Sequence, residues 1–543
     1  MTSSLIRGRP RRGTSHISVR VGHAVLGGAV GVVWLVLPVM TINAEVPVAV
    51  SRGGAVAGAG RQGQQEAEGG SGADLVLPLV AVGGVGVLAG YGYVRRTRRA
   101  RTRTTPGVGV GVVSPQPPVT PLPVLERQAG AALVQADDCL RTSREELAFV
   151  QDRFGDTAVE PFVRALRDAE RELSAAFAIR QRYDRGVPEP KEEAARRQAL
   201  AGIVGRCAEA GRRLDSEAPA FDQLRALEEE LDDALGVAEV RFRELAGRTG
   251  GVDATLADLH ARHPSPSPSA SITTVTGYVE QAKDRLVFAT THLNQARQAA
   301  DLGHSGESIR SLRAAEGAIS QADTFLSDVD RLANSLAAAA KLVPATLTGA
   351  EADIARATAT ARARARATTG TTAGPLHTHL AHAHTTLAAI REELTRDRPH
   401  VHDPLDALRR IVQAMQPLGG TRDGVLSVAA WLVARNDVGS ADGFIATHRG
   451  AVGVEARTRL AEAELLLTTD PAAADVPALE ARESAEQDVR VHGNPYAGAA
   501  DEHTSGVGGA VLGGILLGED PDGGPPLTFG GPATRKRRAL PPT

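Results

Sequence analysis

The sequence predicts a mostly α-helical protein: N-terminal signal and transmembrane segments, then a long helical coiled-coil or bundle region, then a disordered tail rich in glycine and proline. Three observations carry this. Two uncharged apolar runs lie within the first hundred residues, apolar residues recur at intervals of three, four and seven through the middle of the chain, and only 3% of the 543 residues are aromatic. So few aromatic side chains suit slender helical packing better than a conventional globular core.

The first element is a leader and apolar run, residues 1–44. Arg7, Arg9, Arg11, Arg12 and Arg20 precede an uncharged stretch from about Val21 to Ile42, with no acidic residue among them, the pattern of a signal peptide or signal anchor. Residues 45–74 form a short extracytoplasmic linker. The second apolar run, Leu75 to Val94, is about twenty residues long and spans roughly 30 Å as a helix. Directly after it stand Arg95, Arg96, Arg98, Arg99, Arg101 and Arg103 with no acidic partner. The positive-inside rule puts such a cluster in the cytoplasm, beside anionic lipid headgroups. The pairs Gly27 with Gly31 and Gly86 with Gly90 offer close helix packing within the two runs.

An arginine-rich juxtamembrane stretch and linker occupies 95–123, and the helical pattern begins after it. Leu133, Ala136, Leu140, Leu147, Val150 and Phe154 form one seam; Leu224, Leu227, Leu231, Leu235, Ala238, Phe242 and Leu245 repeat the spacing, as do Leu286, Ala289, Leu293, Ala296 and Ala300. Breakers stand at 154–156 (FGD), 185–190 (RGVPEP) and 263–271 (HPSPSPSAS). The last divides a first helical subdomain, 124–262, from a second, 272–492. Within the second, DLGHSG at 301–306 reads as the turn of an antiparallel hairpin whose later helix carries Leu312, Ala315, Ile319, Ala322 and Leu326. Residues 493–543 form the Gly/Pro-rich tail, which ends in the basic run Arg535, Lys536, Arg537 and Arg538.

The search for reaction chemistry is mostly negative. The chain has no GxSxG, HExxH or paired CxxC, and its glycine patches lack the strand-turn-helix setting of a phosphate loop. Cys139 and Cys207 sit in unrelated surroundings, and the formal net charge of -3 gives no general attraction to nucleic acid. Glu228, Glu229, Glu230, Asp232 and Asp233 read as a solvated helix face. The sharpest candidate is HTHLAHAH, where His377, His379, His382 and His384 offer imidazoles for a transition metal. On one straight helix the four do not share a face, so a closed site needs a kink or a second chain.

Several stretches together carry a resemblance: VEQAKDRLVFATTHLNQARQA (279–299), LRAAEGAISQAD (312–323), DPLDALRR (403–410), FIATHRGAVGVEARTRLAEAE (444–464), AEQDVRVHGNPYAG (485–498) and GGAVLGGILLG (508–518). In this order they resemble the cytoplasmic part of the actinobacterial TPM-domain membrane proteins. The resemblance implies a signal peptide, an extracytoplasmic TPM domain, a transmembrane helix, a helical cytoplasmic region and a glycine-rich tail. The chain departs from that pattern between its two apolar runs, where too few residues remain for a compact domain, so the TPM domain is missing or reduced to a linker. The stretch 465–480 is also shortened relative to the family's continuous helix.

The sequence therefore points to a membrane-anchored, largely cytoplasmic helical scaffold that associates with itself or with protein partners and with membrane lipids, without enzymatic activity, cofactor, nucleic acid or small-molecule substrate. The alternative is a receptor-like signalling protein with a short outer segment and a transmitting rod.

Overall fold

The computed structural model describes residues 120–227, 229–263, 271–367, 374–395, 403–419, 424–492 and 528–539. The chain divides into two units, 1–113 and 114–543, and every described residue belongs to the second. The two apolar runs, the arginine cluster 95–103 and Gly86 with Gly90 lie outside the described residues. Among the described residues no helix is long and apolar enough to cross a membrane.

The described chain is helical, with eleven α-helices and no strand. Helix α1 (Leu122–Asp184) starts with a proline before its first turn and is interrupted at Gly155, where φ is 77° and ψ 171°. That backbone region is essentially reserved for glycine, and the chain reverses there. Arg144 reaches Glu170 at 2.6 Å, and the Tyr183 hydroxyl meets Glu126, so the two halves of α1 lie antiparallel. The predicted FGD breaker is thus the tip of a hairpin. Helix α2 (Glu193–Arg225) runs back along the second half, with Arg206 on Glu172 at 2.9 Å and the Phe162 and Phe221 rings edge to face at 5.3 Å. Leu133, Leu140, Phe162, Leu200, Ile203, Leu214 and Phe221 fill the core of this three-helix unit.

Helix α3 (Leu231–Arg262) follows after a break at 226–230, where Ala226 takes a left-handed conformation. The apolar spacing from Leu224 to Leu245 therefore belongs to two helices, not one: the periodicity continued across the interruption because both ends of it face a core. Helices α4 (Tyr278–Asp301) and α5 (Ser305–Ala367) form the antiparallel hairpin expected from DLGHSG, with Gly303 at φ 75° in its turn. Alanines 289, 296, 315, 318 and 322 line the seam, which lets the two helices approach closely. Helix α3 lies along this hairpin, its Arg248 spanning Asp323 (2.8 Å) and Asp330 (3.1 Å) on α5.

Three elements complete the second core. Helix α6 (Gly374–Thr395) packs back on α5, Arg391 meeting Glu351 at 2.8 Å. Helix α7 (Pro404–Met415) has Asp403 as a side-chain N-cap, and α8 (Gly424–Thr447) runs antiparallel to α5. Close approach there requires Gly443: a β-carbon at that position would stand 2.2 Å from the Asp328 carboxylate.

Helices α9 (Val454–Thr469) and α10 (Pro471–Val491) meet at Asp470, where Pro471 ends one helix and opens the next. Their alanine-rich core, Ala456, Ala463, Ala478, Ala481 and Ala485, packs on Phe444 and Ile445. The last helix, α11 (Pro532–Ala539), lies within the stretch expected to be a disordered tail. Residues 528–539 are ordered against α1 and α2 because Phe529 is fully buried among their aromatic rings; residues 493–527 lie outside the described part.

Candidate functional site

The densest chemistry lies where α1 meets α8 and α9. The seam of α1 that carries Leu133, Ala136 and Leu140 also carries Asp137 and Arg141, one turn apart and both buried, with Asp138 half-buried at its side. The Arg457 side chain on α9 is 1% exposed and donates to four oxygens: Asp137, Asp138 (2.7 Å), the Val452 carbonyl (3.2 Å) and the Arg449 carbonyl. Arg141 donates Nε–H to Asp137 (3.0 Å) and Nη1–H to Asp442 on α8 (2.7 Å). Arg449 grips both oxygens of Glu145, at 2.8 and 3.0 Å. Burial works against the Asp137 charge, but Arg141 and Arg457 more than offset it and hold that carboxyl below its usual value.

Beside this network lies a cavity of about 460 Å³ whose polar lining is Asp137, Arg141, Arg144, Glu170, Ser174, Asp442, Arg457 and Glu464, with Leu173 and Phe177 among its apolar residues. Glu464 is open to water on a concave wall. Desolvation by the surrounding protein, then the charge of Asp442, pushes its carboxyl up to about 7. Chemically, the site is a clasp: Arg141 and Arg457 hold Asp137, and Arg457 also holds Asp138.

Two further buried groupings tie helices together, and a third lies at the end of α8. Glu146 of α1 meets Arg225 of α2 (2.9 Å) and Arg313 of α5 (3.2 Å), and Arg225 also reaches Glu316. Arg409 of α7 bridges Asp437 of α8 (2.6 Å) and Asp475 of α10 (3.2 Å); burial, and then the adjoining Asp475, push the Asp437 carboxyl up despite that guanidinium. His448 stacks on Phe444 at 4.2 Å and donates Nδ1–H to the Phe444 carbonyl at 3.0 Å, and burial pushes it down to about 4, so it is neutral.

The structure places the histidine candidates on α6. His377, His379, His382 and His384 are all exposed, while Leu380 and Ala383 between them face the core. Among the described residues no group of three or more His, Cys, Asp or Glu side chains is arranged to hold a metal ion. His400 and His402, the next histidines along the sequence, lie outside those residues. Cys139 and Cys207 are buried, and their thiols are pushed up to about 11 and about 12 by desolvation, which leaves both unreactive. The clasp residues went unread in the sequence because their partners lie some three hundred positions away. The available signal was charge interrupting an apolar stripe, as Asp137 and Arg141 interrupt the Leu133 to Leu140 seam.

Comparison with known proteins gives one relationship. The chain is homologous to UPF0603 proteins of Mycobacterium tuberculosis. Proteins of that name from two strains are each 30% identical to it over 451 residues, covering 76% of this chain and 65% of the relative. The chain thus spans just under two thirds of the length of these relatives, whose name carries no activity. No family model matches the chain, that of the TPM domain included, and no solved structure matches it significantly.

Proposed function

We propose that this protein is a remodelled relative of the actinobacterial TPM-domain membrane proteins, lacking the TPM domain, and that it acts as a membrane-anchored helical scaffold on the cytoplasmic face. The apolar run 75–94 followed by Arg95 to Arg103 supports the anchor and its orientation. The observation that carries the scaffold reading is the clasp itself. Its charges join α1 to α8 and α9, as Arg457 does for Asp137 and Asp138. Exposed apolar side chains on the last helices, Val428, Trp431, Leu465 and Val476, offer contact points for protein partners or further copies.

Protease protection on intact spheroplasts carrying a C-terminal epitope tests this reading. The expected result is protection of everything beyond Arg103 in intact cells and digestion after lysis, with constitutive cross-links between helical regions. Digestion from outside would reverse the topology. Cross-links that appear only with an external ligand would favour the receptor-like alternative.

A further inference from the structure

The C-terminal segment Thr528–Arg537, TFGGPATRKR, sits in a cleft between α1 and α2 in the manner of a bound peptide. Phe529 is fully buried, stacked on Phe221 at 4.3 Å and edge to face with Phe162 at 5.8 Å. The two glycines that follow allow contact no other residue permits. Gly530 has φ 131°, and a β-carbon on Gly531 would stand 2.2 Å from the Gly211 carbonyl oxygen. The α2 backbone is equally bare at that point: a β-carbon on Gly211 would meet Pro532 at 2.7 Å.

The polar contacts are as specific. Asp215 of α2 accepts from the N–H groups of Gly531 (2.9 Å), Ala533 (3.3 Å) and Thr534 (2.9 Å), and so supplies from another helix the N-cap that α11 lacks in its own sequence. Ser143 Oγ accepts from the Gly530 N–H at 3.2 Å, and Glu146 accepts from the Phe529 N–H at 3.3 Å. Arg535 donates to the Asp138 carbonyl at 3.1 Å, which brings the tail to the edge of the clasp.

We propose that the α1–α2 cleft is a peptide-recognition site for a Phe-Gly-Gly-Pro segment followed by a basic helix, and that the chain's own C-terminus occupies it as a detachable strap. The covalent path back to α10 runs through residues 493–527, about 35 residues, which at roughly 3.4 Å each permits an extension on the order of 100 Å. Sequence connection therefore does not hold the segment in place; the pocket does. Docking holds Arg535 against α1 through the Asp138 carbonyl while Lys536 and Arg537 stay exposed, and release frees Arg535 to join them in one basic run. An aromatic anchor in a closed pocket ringed by backbone hydrogen bonds is the usual form of a peptide hot spot.

The test uses the full chain and a labelled peptide of residues 526–540. Phe529→Ala with Gly531→Val ejects the strap, because one change removes the anchor and the other drives a side chain into the Gly211 backbone. This variant should bind the peptide in fluorescence anisotropy, while the wild-type chain, its cleft occupied, binds at least about tenfold more weakly. Adding Gly211→Val to the variant should abolish binding. Failure of the ejected variant to bind, with helical circular dichroism intact, overturns the proposal, as does binding that survives Gly211→Val. Should the variants not fold, hydrogen exchange on the wild-type chain decides. The amides of Phe529, Gly530, Gly531 and Thr534 should exchange at least about tenfold more slowly than free chain, and excess unlabelled peptide should release only these. Fast exchange without peptide, or protection that excess peptide leaves unchanged, overturns it.

Discussion

At the residue scale, Arg457 shows how burial converts a charge into a structural commitment. Its guanidinium is almost wholly enclosed and is shared between Asp137 and Asp138. Removing it leaves Asp138 without a guanidinium and Asp137 with Arg141 alone, in a setting where breaking a buried pair costs about 3–5 kcal/mol. Arg457→Met should therefore lower the unfolding free energy by roughly that amount in urea denaturation, and Arg457→Lys should recover little, since an ammonium cannot reach four separated oxygens. Glu464 gives the opposite lesson. Its folded carboxyl titrates near 7, above the unfolded value of 4.5, so the native state binds more protons than the unfolded chain between those limits. The stability it contributes is complete below about pH 4.5 and is lost as pH rises through 7. Glu464→Gln should accordingly be more stable than wild type at pH 8, with the advantage shrinking towards pH 4, as thermal melts across that range would reveal. Neither role could be read from the sequence, where Arg457 and Glu464 are two more charges on an alanine-rich helix.

At the scale of the element, local chemistry was legible and its consequence was not. The seam residues Leu133, Leu140, Leu147 and Val150 are buried as their spacing requires, and DLGHSG turns α4 back on α5. Glycine at 155 marked a break, but whether a break bends, ends or reverses a helix depends on what packs across it. Here Arg144 on Glu170 and Glu126 on Tyr183 close the two halves of α1 into a hairpin. The apolar spacing across 226–230 misled for the complementary reason, since two helices that each face a core can continue each other's phase even when the cores differ. A β-carbon at Gly155 meets nothing within 4 Å, so Gly155→Ala isolates the backbone term. With φ at 77° and ψ at 171°, that substitution should cost about 1–3 kcal/mol by denaturant midpoint and leave the helical content of the folded state unchanged.

At the scale of the molecule, the Ser/Pro-rich stretch 263–271 reads as a linker between two helical subdomains, yet packing does not respect it. Arg225 and Glu146, before the linker, are buried with Glu316 and Arg313 beyond it, and Arg457 joins α1 to α9 across 320 positions. Helix α3 precedes the linker but lies on α5, with Arg248 on Asp323 and Asp330. Composition locates where a chain is cut easily; only the partners of the buried charges locate where it comes apart. A protease site placed within 264–270 should therefore yield a nicked protein whose two pieces elute together in gel filtration under native conditions, because separation would strip Arg313 and Glu316 from the Glu146–Arg225 pair and take Arg457 from Asp137 and Asp138. The same pieces should separate in the nicked Arg457→Met, Arg225→Met variant at a denaturant concentration that leaves the nicked wild type whole. Elution of two independent folded fragments from the nicked wild type would instead restore the linker as a true domain boundary.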